Sequence, residues 1–270
     1  MIPKDFVTEW RAEAPWAADR QVEQDLVISR TLVELFSRPA IAGALAFRGG
    51  TALYKLHLRP AARYSEDIDL VQTEARPIGP VLDAIHSALD GWLGNPQWKQ
   101  TEGRVTLTYR FDSEDIPSAR SKVKVEINSR EHFTALGLRT HRFEVGSRWF
   151  SGSADLRTYE LDELLATKLR ALYQRRKGRD LFDLALALGR GRASPNRIVE
   201  VFARYMTEGG ARVTRAMFER NLAEKRGDSI FTADMTPLLA AGTNWDFDAA
   251  YDLVRRELLS RLPGEPPKGG

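Results

Sequence analysis

The sequence predicts an α/β protein of the mixed, α+β kind: a strand-and-helix region followed by a helical one. Three observations predict it. Up to about residue 155, short apolar runs bounded by turn residues alternate with patterns of helical period. From Leu161 onward the apolar spacing is helical throughout. A composition of 43% hydrophobic and 29% charged residues over 270 positions is enough to build an ordinary core.

Along the chain, residues 17–37 read as a helix in which Val22, Leu26, Ile28, Leu32, Val33, Leu35 and Phe36 form a broad apolar face, ended by Pro39. Next comes ALAFRGGTALYKLH, an apolar strand, a glycine turn, and a helix that starts at Thr51. DIDLV is the following strand, and PVLDAIHSALDGWL a helix from Pro80 closed by Gly94. RVTLTYRF, SKVKVEIN and the pair HRFEV and SRWFS are further strand candidates. Five helical patterns then follow, ELDELLATKLRALYQ, RDLFDLALAL, PNRIVEVFARYM, TRAMFERNLAEK and FDAAYDLVRRELLSRL, separated by Gly, Pro or Asn. The domains expected are therefore residues 1–158, residues 159–262, and a disordered Pro- and Gly-rich tail at 263–270.

Composition excludes several chemistries. Without cysteine there is no disulfide framework and no thiolate site. The four histidines, His57, His86, His132 and His141, lack metal-ligand spacing, which argues against zinc. No run approaches the roughly 18 apolar residues of a membrane span, and the first residues show no apolar leader. The expectation is a cytoplasmic protein. A net charge of +3 over this length only weakly favours a polyanionic partner.

The stretch RYSEDIDL carries the sharpest signal. On a strand Ser65, Asp67 and Asp69 share one face while Ile68 and Leu70 take the other. Paired carboxylates repel, and a hard divalent cation such as Mg²⁺ offsets that cost. The same letters also suit a short helix capped by Ser65 with acids in its first turn. Upstream, Gly49 and Gly50 allow close approach of a ligand, and a helix from Thr51 offers N–H groups to a phosphate. In SKVKVEIN, Val123, Val125 and Ile127 form one face, with Lys122, Lys124 and Glu126 on the other. Glu126 either completes an acid cluster, if this strand lies beside DIDLV, or sits on a solvated face of mixed charge.

Downstream, Lys168 interrupts the stripe of Leu161, Leu164, Leu165 and Leu172, and Asp180 and Asp183 share a side of the next helix. These groups either form a salt-bridge network or serve a site. Between them RRKGRD places Arg175, Arg176, Lys177 and Arg179 close together. Such a run is a solvated turn or a holder of triphosphate or RNA backbone.

Together FRGGTALYK, RYSEDIDL and KLRALYQRRKGRDLFDL resemble the motifs of the AbiEii/AbiGii nucleotidyltransferase toxin family, which includes the MenT toxins and is related to polymerase β-type nucleotidyltransferases. The resemblance spans roughly residues 45–190. It implies a mixed-sheet nucleotidyltransferase domain followed by a helical domain, and Mg²⁺-dependent transfer of a nucleoside monophosphate from an NTP. It further implies RNA as the acceptor, notably the 3′ end of tRNA, with translation inhibited and a cognate antitoxin as partner. Carried over by position, Gly49, Gly50 and Thr51 or Ser65 contact the triphosphate, and Asp67 and Asp69 hold the metal. Lys168 matches the family's phosphate-binding lysine, and Asp180 or Asp183 its downstream acid. Glu126 as a third metal ligand and Arg179 on the nucleotide are matched by pattern alone. A small-molecule nucleotidyltransferase of the aminoglycoside-modifying kind, and a non-catalytic partner protein, are the alternatives.

Overall fold

The structure, a computed structural model, describes residues 2–113 and 120–267. It contains two compact units, Met1–Thr134 with Leu138–Tyr159, and Ala135–Gly137 with Glu160–Gly270.

The first unit begins with helices α1 (Lys4–Trp10), α2 (Asp19–Phe36) and α3 (Pro39–Ala44), strand β1 (Leu45–Arg48), and helix α4 (Gly49–Ala52), which continues as a π-helical turn over Leu53–His57. It goes on with β2 (Asp67–Gln72), α5 (Gly79–Leu93), β3 (Gln97–Thr101), β4 (Arg104–Asp112), β5 (Arg120–Asn128), β6 (Leu138–Gly146) and β7 (Ser151–Tyr159). These strands make one mixed sheet in the order β3-β4-β5-β2-β1-β7-β6. β2 runs antiparallel to β1 and parallel to β5.

Register follows from burial. Val105, Leu107 and Tyr109 of β4 lie opposite Ile127, Val125 and Val123 of β5, and all six are at most 1% exposed. A slip of one residue would turn this apolar row out to solvent and bring the charged row in. Each fully buried aliphatic side chain contributes about 1.5–3 kcal/mol, so the alternative register is not competitive.

Helix α2 packs on β5, β6 and β7 and also carries α1. Buried on more than one side, it brings polar groups into the interior, and these find partners. Asp25 accepts from Trp10 Nε1 at 2.9 Å and from Lys55 Nζ at 2.6 Å, and Gln24 donates to the Lys122 carbonyl at 2.7 Å. Pairing of this kind removes most of the cost of burying polar atoms.

Three expectations shift. Pro39 starts α3 at its first turn instead of merely following α2, since proline suits a position whose N–H has no intrahelical partner. The helix after the glycine pair begins at Gly49, two residues before Thr51. SRWFS is largely a turn, in which Ser147 N donates to the Phe150 carbonyl at 3.0 Å, and β7 lies beyond it. That strand begins Ser-Gly-Ser, which has no apolar alternation to reveal it. Strand β3 is exposed at every position and gave no signal for the same reason.

The second unit holds α6 (Leu161–Gln174), α7 (Gly178–Gly189), α8 (Pro195–Glu208), α9 (Arg215–Arg226), α10 (Ser229–Ala233) and α11 (Phe247–Glu257). Helix α6 packs on α7 and α8, and α7 on α11. Of the tail, the Pro263 carbonyl accepts from Arg215 N at 2.9 Å, and residues 268–270 lie outside the described residues. Among the described residues no helix is long and apolar enough to cross a membrane.

A buried carboxylate organises this unit. Glu163, 0% exposed, accepts from the backbone N–H groups of Ala135 and Leu136 at 2.7 and 2.8 Å and from the Tyr205 hydroxyl at 2.7 Å. An amide in its place presents NH₂ to donors. Glu163→Gln is therefore expected to lower stability by about 1–3 kcal/mol, measured by denaturant unfolding, while Glu163→Asp, which keeps both acceptors, recovers part of the loss.

Candidate active site

Because Ile68 and Leu70 are buried in the core, Asp67 and Asp69 must share the opposite face of β2. Parallel pairing sets Asp67 opposite Lys124 and Asp69 opposite Glu126, so the structure brings together the three acids singled out in the sequence. It also adds a cation. Lys124 Nζ lies 2.5 Å from Glu126 and 3.9 Å from Asp67.

The electrostatics bear the mark of this crowding. Burial, followed by the neighbouring Asp69 charge, pushes the Asp67 carboxyl up to about 6, against a partial offset from Lys124. Burial works against the Lys124 ammonium, but the Glu126 hydrogen bond and the Asp67 charge outweigh it and hold the ammonium above its usual range. The donor set, all carboxylate oxygen, suits a hard cation such as Mg²⁺. Among the described residues, however, no group of three or more acids or histidines is arranged to hold a metal. Asp67 and Asp69 are the two carboxylates that could hold such a cation, and Glu126 is drawn onto Lys124.

The glycine turn packs directly on these acids. Gly49 has φ of +82°, and a Cβ there would fall 2.0 Å from Asp69 Oδ2. A Cβ on Gly50 would meet Arg63 Nη2 at 2.7 Å and Ser65 Oγ at 2.9 Å. The glycine pair thus allows the backbone to approach the carboxylate and the Ser65 hydroxyl. Thr51 is 1% exposed, and its hydroxyl donates to the Asp67 carbonyl at 2.6 Å and lies 2.9 Å from Ser65 Oγ. It ties the start of α4 to the start of β2. Ser65 is the more open of the two hydroxyl residues.

In the second unit, Lys168 Nζ stands 3.2 Å from Asp180 and 3.0 Å from Asp183, both acids being 0% exposed. Arg175 grips Asp180 bidentately at 2.7 and 2.8 Å. Two cations face two acids, so the cluster is neutral and its burial is compensated. Both candidate acids hold the lysine, and Asp180 also receives Arg175.

The basic run is paired as well. Arg176 meets Asp228 at 3.3 Å, and Arg179 meets Asp234 through its backbone N, Nε and Nη2, each at 3.1 Å. Burial tends to raise the Asp234 carboxyl, but the Arg179 hydrogen bonds prevail and hold it below the usual range. Lys124, Asp228 and Asp234 were not singled out in the sequence. Lys124 was visible as a lysine on the acid face of its strand; the two aspartates lie some fifty residues beyond their partners and gave no local signal.

The sequence profile described as "Nucleotidyl transferase AbiEii toxin, Type IV TA system" matches residues 30–253, most of the chain. The chain belongs to this family. It is a nucleotidyltransferase of the toxin type, which confirms the expected family and enzyme class. Among solved structures it is similar to MenT4, a nucleotidyltransferase toxin of Mycobacterium tuberculosis, at 19% identity and a TM-score of 0.67, covering 97% of this chain and 91% of that one. It is also similar to JHP933 of Helicobacter pylori, at 16% identity and a TM-score of 0.55, covering 89% of this chain and 90% of that one. At such identities the likeness is one of fold, and it bears out the mixed α/β class. A sequence search of curated proteins finds no match.

Two outcomes follow from the acid cluster. Raised from an ordinary 3.8 to about 6, Asp67 binds a proton more readily folded than unfolded. Its favourable contribution is complete below about pH 4 and is lost as pH rises through about 6. Asp67→Asn is therefore expected to melt above wild type at pH 7.5 in EDTA, the advantage vanishing between pH 6 and 4 in thermal scans. Lys124→Met removes the ammonium that competes for the acids. Metal-free protein so altered is expected to bind Mg²⁺ or Mn²⁺ about tenfold more tightly by calorimetry, a change of about 1.4 kcal/mol, which lies within the Coulomb range for partly exposed charges.

Proposed function

We propose that this nucleotidyltransferase transfers a nucleoside monophosphate from an NTP to RNA in an Mg²⁺-dependent reaction, with the tRNA 3′ end as acceptor. Translation is thereby inhibited until a cognate antitoxin intervenes, and the reaction takes place in the cytoplasm. Residues 1–158 are the transferase domain and residues 159–262 the helical domain.

The reading is carried by one observation: the Gly49 backbone lies against the carboxylate of Asp69, which stands in register with Glu126 of the neighbouring strand. Phosphoryl transfer asks chiefly for positioning and charge neutralisation. Asp67 and Asp69, joined by Glu126 when Lys124 turns away, hold Mg²⁺, which supplies activation of the attacking hydroxyl and neutralisation of leaving pyrophosphate.

The chain's own groups do the rest. Gly49 and Gly50 admit the triphosphate close to the backbone, and Ser65, with the hydroxyl of Thr51 committed behind it, donates to a phosphate oxygen. Lys124, once displaced from Glu126, is a further cation at the acids. Lys168 is the phosphate-binding lysine, and Asp180 and Asp183 hold it in place. Arg179 contributes positive charge beside Asp234.

A small-molecule acceptor would use the same acids, and a non-catalytic partner protein would use them only as structure. Incubating the protein with Mg²⁺, each labelled NTP in turn and total tRNA separates the readings. Wild type is expected to label tRNA with one NTP in preference to the others, and Asp69→Ala, shown to be folded, to lose at least a thousandfold of that incorporation. Undiminished labelling by the variant would sink the assignment of Asp69, and label appearing only on an aminoglycoside-like acceptor would replace RNA as substrate.

A further inference from the structure

The outer face of β3, β4 and β5 holds cations that the site described above does not employ. Burial of Val105, Leu107 and Tyr109 turns the alternate residues of β4 outward, and burial of Val123, Val125 and Ile127 does the same in β5. Arg104 and Arg110 of β4, Lys122 of β5, and Lys99 of β3, which stands opposite Thr106, therefore share the face that carries Glu126 and, on β2, Asp67 and Asp69. All four cations are exposed.

Two observations mark this face as a place for an anion. Its charge is uncompensated, in contrast to the paired basic run of the second unit. Among the described residues Lys99, Arg104 and Lys122 have no ion-pair partner, and Arg110 reaches only the neutral amide of Gln97, at 3.1 and 3.4 Å. The nearby acids are already matched: Asp112 faces Arg120 at 3.9 Å, Glu126 holds Lys124 at 2.5 Å, and Glu102 of the β3–β4 turn is taken by Arg130. In addition, register sets Arg110 directly opposite Lys122. Like charges so placed in a sheet are destabilising, and an anion lying across both turns the repulsion into attraction.

The side of the acids on which this face lies decides what the anion is. The glycine turn meets Asp69 from the β1 side of β2, whereas β5, β4 and β3 extend from the other side. With the triphosphate at Gly49, Gly50 and Ser65, pyrophosphate leaves toward the turn, and the attacking hydroxyl, roughly in line with it, comes from the β5 side. At ~4.8 Å per strand, β4 and β3 lie about 10 and 14 Å from β2. A small acceptor seated at the acids does not span that distance. Cations spread over three strands fit an acceptor that continues past its reacting hydroxyl and carries a charge at each repeat, which is a nucleic acid. Thr106 and Thr108, outward on β4 among these cations, add hydroxyl donors for phosphate oxygens.

We propose that the outer face of β3, β4 and β5 seats the acceptor RNA, whose terminal hydroxyl reaches Asp67 and Asp69 while the phosphates behind it lie against Lys122, Arg110, Arg104 and Lys99. The inference rests on the RNA-directed transfer proposed above and states where that RNA lies.

The test uses the full chain and fluorescently labelled tRNA, with binding followed by anisotropy without NTP at several salt concentrations, alongside steady-state transfer to tRNA. Lys99→Gln/Arg104→Gln and Arg110→Gln/Lys122→Gln are each expected to weaken tRNA binding at least fivefold and to lower the slope of log affinity against log salt by about 1.4–1.8, the share of two phosphate contacts. In the transfer assay KM for tRNA rises in step, while kcat and KM for NTP stay within twofold of wild type. Arg255→Gln/Arg256→Gln, which removes two exposed charges from α11, is expected to bind tRNA within twofold of wild type. Equal weakening by that control reduces the effect to net charge and overturns the proposal, as does binding within twofold of wild type in both strand variants or a change confined to KM for NTP. If wild type binds tRNA through these four residues yet adds no nucleotide to it, the transfer reading fails and the face stands as an RNA-binding surface. Absence of saturable tRNA binding by wild type overturns the face, whatever the acceptor proves to be.

Discussion

The structure of the first unit turns on a repulsion. Two aspartates one residue apart in a strand project from the same face because the residues between and after them are needed in the core. Much of the neighbouring structure can be understood as holding that unfavourable pair in place. Gly49 leaves out the Cβ that would strike Asp69, Thr51 ties the start of the strand to the preceding helix α4, and Lys124 places an ammonium against the third acid. The elevated Asp67 carboxyl is the residual cost. Local features that disfavour the folded state persist where a site needs them, sustained by well-packed strands on either side.

The second unit solves the same problem by pairing. Asp180 and Asp183 are wholly buried and would be prohibitive alone; Lys168 and Arg175 make the group neutral. A basic run in a sequence suggests a surface waiting for anions, yet three of these arginines already have carboxylate partners, Arg175 on Asp180, Arg176 on Asp228 and Arg179 on Asp234. Bidentate geometry makes the Arg175 and Arg179 pairs persistent. In Glu163 a third buried acid is satisfied by backbone and tyrosine donors, which gives the unit an internal brace.

A hollow in the first unit lined by four aromatic rings shows why a site is harder to read than a fold. Trp10, Trp16, Tyr54 and Phe143 come from separate stretches of chain, and no motif joins them. Each alone is an ordinary core residue. Only the tertiary structure brings them together around one hollow.

What the sequence determined by itself is whatever depends on near neighbours. Period-two burial in DIDLV and SKVKVEIN, helical spacing from Leu161, and the closing of α5 at Gly94, where φ is +74°, are all local consequences of side-chain geometry and were legible as such. Strand β3, exposed throughout, and the Ser-Gly-Ser start of β7 lacked that pattern and stayed hidden. Tertiary structure alone decided which strand lies beside DIDLV, and so whether Glu126 joins the acids, that Lys124 arrives with it, and which acids take up the basic run. These facts depend on register between segments far apart in the chain, set by burying the apolar face of every strand at once, which no local window of residues contains.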